Sequence, residues 1–277
     1  MEPQETGAGR PAAFFDLDGT LIRGSANIPL ALAAFKHGRV TPLELAKDLR
    51  NDISFLFKGA TDELSDQVRD RILAAVAGHP VAEVVALADE FMDSLVEQVR
   101  PEIWAVLEEH AAAGHDRIII SASPTEIVSR LAAELGLEYG IGTTSEHVSG
   151  VYTGRLLGPF CYREGKAEVL RAVAQERGYD LGRSFAYSDS ISDLPMLRSV
   201  GISVAVNPDA ELRLLAQAEE WDIIETSGAR SGLGVPSPQT VVSAAVTVPS
   251  RTLRVSRWLL EAGVGQARAM GGSILSG

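Results

Sequence analysis

The chain predicts an α/β fold: a Rossmann-like parallel sheet with helices on both faces, carrying an all-helical insert after its first strand. Three observations lead there. From residue 101 onward, short apolar runs alternate with helically spaced segments. Between residues 23 and 99 no strand pattern interrupts the helical spacing. The first apolar run, Ala12-Ala13-Phe14-Phe15, ends in Asp16-Leu17-Asp18-Gly19-Thr20, and sheets of this kind bind ligands beyond the carboxyl ends of their strands.

Taken in order, residues 1–11 form a polar lead without the apolar centre of a signal peptide. Residues 12–15, with two aromatics, suit a buried strand. Helical spacing follows over residues 28–38, 42–59 and 63–78, each ending near glycine. Val81, Val84, Val85, Ala88, Phe91, Met92, Leu95 and Val99 then recur at three- and four-residue intervals, an amphipathic helix. Residues 102–113 continue as a helix stopped by Gly114. Residues 117–120 read as a strand and 123–135 as a helix, with Ser123 as its cap, Pro124 in the first turn and Glu126 three residues on. Residues 139–143 are a weaker strand, and 148–156 a small hairpin. Lys166 opens a helix over 166–177 that Gly178 ends. Further short strands cover 185–187, 203–206 and 223–226. Residues 227–250, rich in Gly, Ser, Pro and Thr, are a linker.

The composition narrows the function. A net charge of −12 without a long basic run excludes a nucleic-acid backbone as partner. One cysteine, Cys161, excludes an internal disulfide and suits a cytoplasmic location, as a small core residue. The five histidines have no metal-ligand spacing. No run of 18 uncharged apolar residues predicts a membrane span. Residues 251–277 carry four arginines against one glutamate, three of them at 251, 254 and 257, the pattern of a short basic segment that contacts an anionic membrane peripherally, against the simpler reading of a loose solvated tail.

Four polar clusters follow the apolar runs: Asp16 to Thr20, Ser121-Ala122-Ser123, Lys166, and Ser188-Asp189-Ser190-Ile191-Ser192-Asp193. Carboxylates converging on one point repel unless a cation sits among them, and hard oxygen donors select Mg²⁺. A lysine, a serine hydroxyl and a helix N-terminus in the same place bind the oxygens of an anion. Together these describe a phosphoryl site, in which one carboxylate attacks phosphorus and another moves a proton.

The same motifs in the same order resemble the haloacid dehalogenase-like phosphatase superfamily, over residues 12–226. The detail of SASP, EGK, YSDSISDLPML and AVNPD is most similar to the subfamily holding phosphoserine phosphatases and related hydrolases. The resemblance implies a Mg²⁺-dependent hydrolase of a small phosphomonoester working through an aspartyl-phosphate. It makes Asp16 the nucleophile and Asp18 the general acid and base. Ser121, Ala122 and Lys166 would hold the phosphoryl group. Asp16, Asp18 and Asp189 would hold the metal, with Asp193 a further ligand or a carboxylate behind it. Residues 23–99 would be a C1 cap over a core of residues 12–22 and 100–226, with 227–277 outside it.

The chain departs from phosphoserine phosphatases at Ser25, where they carry a glutamate that reads the substrate amine, and in a fourth motif that is serine-rich instead of GDGAND. Asp48 or Asp52 of the insert is a candidate replacement acid, and Phe55, Leu56 and Phe57 are candidate pocket residues whose simpler role is core packing. The alternatives are a phosphoserine phosphatase proper and a non-catalytic module that keeps the fold. Taken singly, Asp16 and Asp18 also fit a strand-end turn, and Asp193 a cap on its own short helix.

Overall fold

The computed structural model describes residues 9–38, 69–70, 73–74 and 76–227. The middle of the insert, with Asp48, Asp52 and Phe55, Leu56 and Phe57, lies outside the described residues, as do residues 1–8 of the lead and the tail after residue 227.

The first strand, β1 (Ala12–Phe15), is buried along its whole length. β2 (Asp116–Pro124) pairs with one edge of it and β6 (Phe185–Ser188) with the other, both parallel. β3 (Tyr139–Thr143), β7 (Ile202–Val206) and β8 (Asp222–Ile224) complete a six-stranded parallel sheet in the order β3-β2-β1-β6-β7-β8.

Side chains alternate along a strand, so a sheet covered on both faces needs apolar residues at every position. β1 meets that demand. Ala13 and Phe15 pack on one face with Ile119, Phe185, Tyr187 and Val204, beneath helices α2 (Val81–Glu97), α3 (Pro101–Ala112) and α4 (Thr125–Glu134). Ala12 and Phe14 pack on the other with Ile118, Ile120, Ala186 and Ala205, beneath α5 (Glu164–Arg177), α6 (Leu194–Leu197) and α7 (Ala210–Ala218).

The described part of the insert contains α1 (Asn27–Lys36) and α2. The predicted stripe of α2 is found with Val84, Ala88, Phe91, Met92 and Leu95 buried, whereas Val85 faces solvent. The chain leaves the core and returns to it through one stitched crossing: Arg23 N donates to Gln98 O at 2.9 Å and Arg100 N to Leu21 O at 3.0 Å. A hairpin, β4 (Ser145–Val148) and β5 (Val151–Leu156), turns through Ser149 and Gly150, both at positive φ.

Three sequence expectations shift. β2 runs on through Pro124, so α4 begins at Thr125 with Pro124 at its cap position and no side-chain cap. Ser123 is therefore a strand residue rather than a helix cap. α5 begins at Glu164, which places Lys166 within its first turn. β8 stops at Ile224, two residues early, because Thr226 is bound instead by Asn207 and Arg100. Gly178 does end α5, in the left-handed conformation.

Candidate active site

Asp16 is the first residue beyond β1, and its N–H donates to Tyr187 O at 2.9 Å, which ties it to the end of β6. Gly19 then turns the chain with φ +82°, and a Cβ at this position would lie 2.3 Å from Asp189 Oδ2. Glycine is therefore demanded twice at this point, by its dihedral and by the close approach of the two loops.

At the centre stands Lys166. Its Nζ donates to Asp16 Oδ1 at 2.5 Å and to Asp193 Oδ2 at 2.7 Å, and all three side chains are almost completely buried. Ser188 Oγ donates to the same Asp193 oxygen at 2.7 Å. Asp193 Oδ1 is buried and lacks a hydrogen-bond partner among the described residues. The helix-cap reading of Asp193 is overturned: it occupies the cap position of α6, but its carboxylate caps nothing and goes to Lys166 and Ser188.

Thr20 joins this cluster to the fourth motif. Its Oγ1 lies 3.0 Å from Asp16 Oδ2 and 3.4 Å from Asp189 Oδ1. Asp18 is held separately: Ala26 N donates to its Oδ1 at 2.6 Å and Ser123 Oγ to its Oδ2 at 3.1 Å. Ser121 is fully buried, with its Oγ accepting from Ser123 N at 3.0 Å. The Ala122 carbonyl accepts from Thr143 Oγ1 at 2.8 Å. Neither Ser121 nor Ala122 hydrogen-bonds to the Lys166 cluster through its side chain.

The electrostatics follow from burial. Burial raises the Asp16 carboxyl, the Lys166 ammonium pulls it back down, and the carboxylates of Asp193 and Asp18 raise it again. Burial alone would lower Lys166, but Asp16 and Asp193 outweigh it and hold the ammonium charged far above the ordinary lysine range. Carboxylates nonetheless outnumber ammonium here, an imbalance that a cation would relieve. Among the described residues no group of three or more His, Cys, Asp and Glu side chains forms a ready metal cage. A Mg²⁺ ion needs only one or two carboxylates. The pair bridged by Thr20, with a carboxylate oxygen left over on Asp193, fits that modest requirement.

Three further residues shape the site without a role assigned to them from the sequence, although Ser188 and Asp209 stand within its motifs. Arg100 donates to Gly19 O at 3.2 Å and to Thr226 Oγ1 at 2.8 Å, bracing the first loop from the return crossing of the insert. Asp209 N donates to Asp189 O at 2.8 Å, and Asp209 Oδ2 accepts from Ile191 N at 2.8 Å. Ser188 completes the set. Thr20 was visible in the first motif as part of its pattern. Cys161 is buried beside the cluster, its thiol pushed by burial up to about 12, so it is inert as a nucleophile.

Comparison with known proteins gives one consistent result. A family model described as haloacid dehalogenase-like hydrolase matches residues 13–198. Phosphoserine phosphatase SerB1 of Mycobacterium tuberculosis is 39% identical over 82% of this chain and 75% of its own length. A histidinol-phosphatase of Neisseria meningitidis is 32% identical over 76% of this chain and 97% of its own. A solved structure of a protein of unknown function from Bordetella pertussis superposes with a TM-score of 0.67 at 30% identity, over 78% of this chain and 98% of that one.

Proposed function

The chain belongs to the haloacid dehalogenase-like hydrolase family and is a phosphatase of that family, and we propose that Asp16 is its nucleophile and Asp18 its general acid and base. The single observation that carries this reading is the buried Asp16–Lys166–Asp193 chain at the end of β1. Burying one ammonium between two carboxylates is costly, and such an arrangement persists where function needs it.

The roles follow from position. An Asp16 carboxylate oxygen attacks phosphorus and the bond from phosphorus to the substrate oxygen breaks. Asp18 gives its proton to the departing oxygen. Water then attacks the aspartyl-phosphate, passes a proton to Asp18 and releases inorganic phosphate. Lys166, Ser121 and the main chain at Ala122 hold the phosphoryl oxygens, and the Lys166 ammonium works against the burial that raises the Asp16 carboxyl. Asp16 and Asp189 would hold a Mg²⁺ ion, with Asp193 behind Lys166. The ion neutralises phosphoryl charge when bound. The Asp18 side chain, held by Ala26 N and Ser123 Oγ on the side of the insert, is assigned to the proton, leaving Asp16 and Asp189 as the carboxylates of the metal. This narrows the metal set expected from the sequence.

The substrate is a small phosphomonoester read by the insert, residues 23–99, acting as a cap over a core of residues 12–22 and 100–226. Relatives on this scaffold are named for different alcohols, one phosphoserine and one histidinol phosphate. Ser25 is buried and its Oγ accepts from Asn27 N at 3.2 Å, an uncharged group where an ammonium would need an acid. L-Phosphoserine is therefore not the preferred substrate. We place the enzyme in the cytoplasm on its single cysteine, which suits a reducing compartment. No helix among the described residues is long and apolar enough to cross a membrane.

The test is a panel of phosphomonoesters assayed with Mg²⁺ and with EDTA. Turnover that needs Mg²⁺ and favours a substrate other than L-phosphoserine is expected. Full turnover in EDTA contradicts the metal site, and a clear preference for L-phosphoserine contradicts the reading of Ser25.

A further inference from the structure

We infer that Ser123 and the first turn of α1 together clamp Asp18 in the orientation that protonates the leaving group, so that Ser123 is a positioning residue for one half of the reaction. The inference rests on Asp18 being the acid. It goes further in naming what aligns that acid and in coupling it to the entry of the insert.

The geometry is specific. Asp18 Oδ1 accepts from the main-chain N–H of Ala26 at 2.6 Å, and Ala26 is the residue that caps α1. Asp18 Oδ2 accepts from Ser123 Oγ at 3.1 Å, from the far end of β2. One donor thus comes from the core sheet and the other from the cap residue of the inserted helix. An aspartate carboxylate turns freely about its last torsion, and two donors from separate elements fix that plane.

Ser123 has no other evident duty. It is fully buried, lies in β2, and does not cap α4. Its hydroxyl reaches one further acceptor, Asn27 Oδ1 at 3.4 Å, on the first residue of α1. A hydroxyl can both donate and accept, so the contact with Asp18 is kept in both protonation states: beside the protonated acid the Ser123 hydrogen turns to Asn27, and once the proton has been delivered it returns to the Asp18 carboxylate. The position of α1 and the alignment of the acid are thereby linked through Ala26 and Asn27. A substrate that seats the first turn of α1 also seats its own proton donor.

The experiment compares kcat/KM for p-nitrophenyl phosphate, whose phenolate departs without a proton, with that for the best alkyl phosphomonoester of the panel, whose alkoxide needs one. In Ser123→Ala the alkyl substrate is expected to lose about ten- to a hundredfold, the worth of one charge-assisted hydrogen bond. The aryl substrate is expected to lose less than about threefold, because it does not draw on the acid. Ser123→Thr, which keeps the hydroxyl, restores most of the alkyl activity. Equal losses on both substrates, or none on either, overturn the inference. Should Ser123→Ala not fold, Asn27→Ala carries the same comparison, with a selective alkyl loss expected and equal effects contradicting it. If the wild-type enzyme turns over neither substrate, or Asp16→Asn retains turnover, the phosphatase reading itself fails, an outcome separate from the Ser123 result.

Discussion

Two buried polar clusters lie on either side of Tyr187, and they solve the same problem in opposite ways. Towards the carboxyl end of the sheet, the chain after Tyr187 and Asp16 enters the Lys166 cluster, where an ammonium is kept charged between two carboxyl groups. On the α3 side, Tyr187 OH meets His110 Nε2 at 2.8 Å, and His110 Nδ1 lies 2.9 Å from His115 Nδ1. Phe15 and Phe185 close on the His110 ring edge-on. Burial, then His115 and Arg117, push the His110 imidazole down to about 3, so this cluster is neutral. A fold that needs only to fill its interior neutralises what it buries. The cluster at Asp16 instead holds a charged ammonium between two buried carboxylates, an arrangement that suits the chemistry proposed for it.

The comparison can be broken in four places, in order of expected effect. Asp16→Asn should abolish turnover, by at least about 10³-fold in kcat, while leaving the folded state intact, as checked by steady-state kinetics and circular dichroism. Near-wild-type turnover would remove the covalent role. Lys166→Met strands two buried carboxylates and should cost about 3–5 kcal/mol of stability in urea unfolding, besides the loss of activity. A loss below about 1 kcal/mol would mean that the charged cluster carries no more strain than a surface pair.

His110→Gln keeps polar contact with Tyr187 and should cost less, about 1–2 kcal/mol at neutral pH, with kcat nearly unchanged. A large fall in kcat there would give the neutral cluster a catalytic part that this account denies it. The fourth effect is in pH and is of similar size. A histidine whose folded pKa lies below its unfolded value resists protonation when folded, while the unfolded chain takes the proton. Stability is then present above the unfolded pKa and is lost as pH falls towards the folded one. For His110 that window runs from about 6.5 down to about 3. Between pH 7 and pH 5 the wild type should lose about 2 kcal/mol more than His110→Gln. Equal losses would mean that His110 is already charged in the folded protein.

What could be read from the sequence differs between the same two regions. The active-site cluster was legible because its residues follow apolar runs in a fixed order: Asp16 after β1, Ser121 after the apolar stretch of β2, Asp189 after β6. The parallel sheet was legible for a related reason, since β1 and β2 are apolar at successive positions. The histidine cluster was not legible. His110 and His115 stand five residues apart in an ordinary helix-to-strand connection, and only the packing of Phe15, Phe185 and Tyr187 makes them a buried pair. Arg100 was hidden for the same reason, because its partners Gly19 and Thr226 lie 81 and 126 residues away. Ser123 was misjudged because a serine before Pro-Thr-Glu has every local mark of a helix cap, while Asp18, 105 residues earlier, takes its hydroxyl instead. Local pattern locates groups that end elements, and long-range partners decide what those groups do.

The account turns on phosphorus passing through Asp16. The direct measurement is acid quenching of the enzyme during turnover of a radiolabelled phosphomonoester, followed by peptide mapping. An acid-stable, hydroxylamine-labile label on the peptide containing Asp16, absent from Asp16→Asn, is the expected result. Continued turnover with no label trapped at any time, or a label that persists in Asp16→Asn, would contradict it.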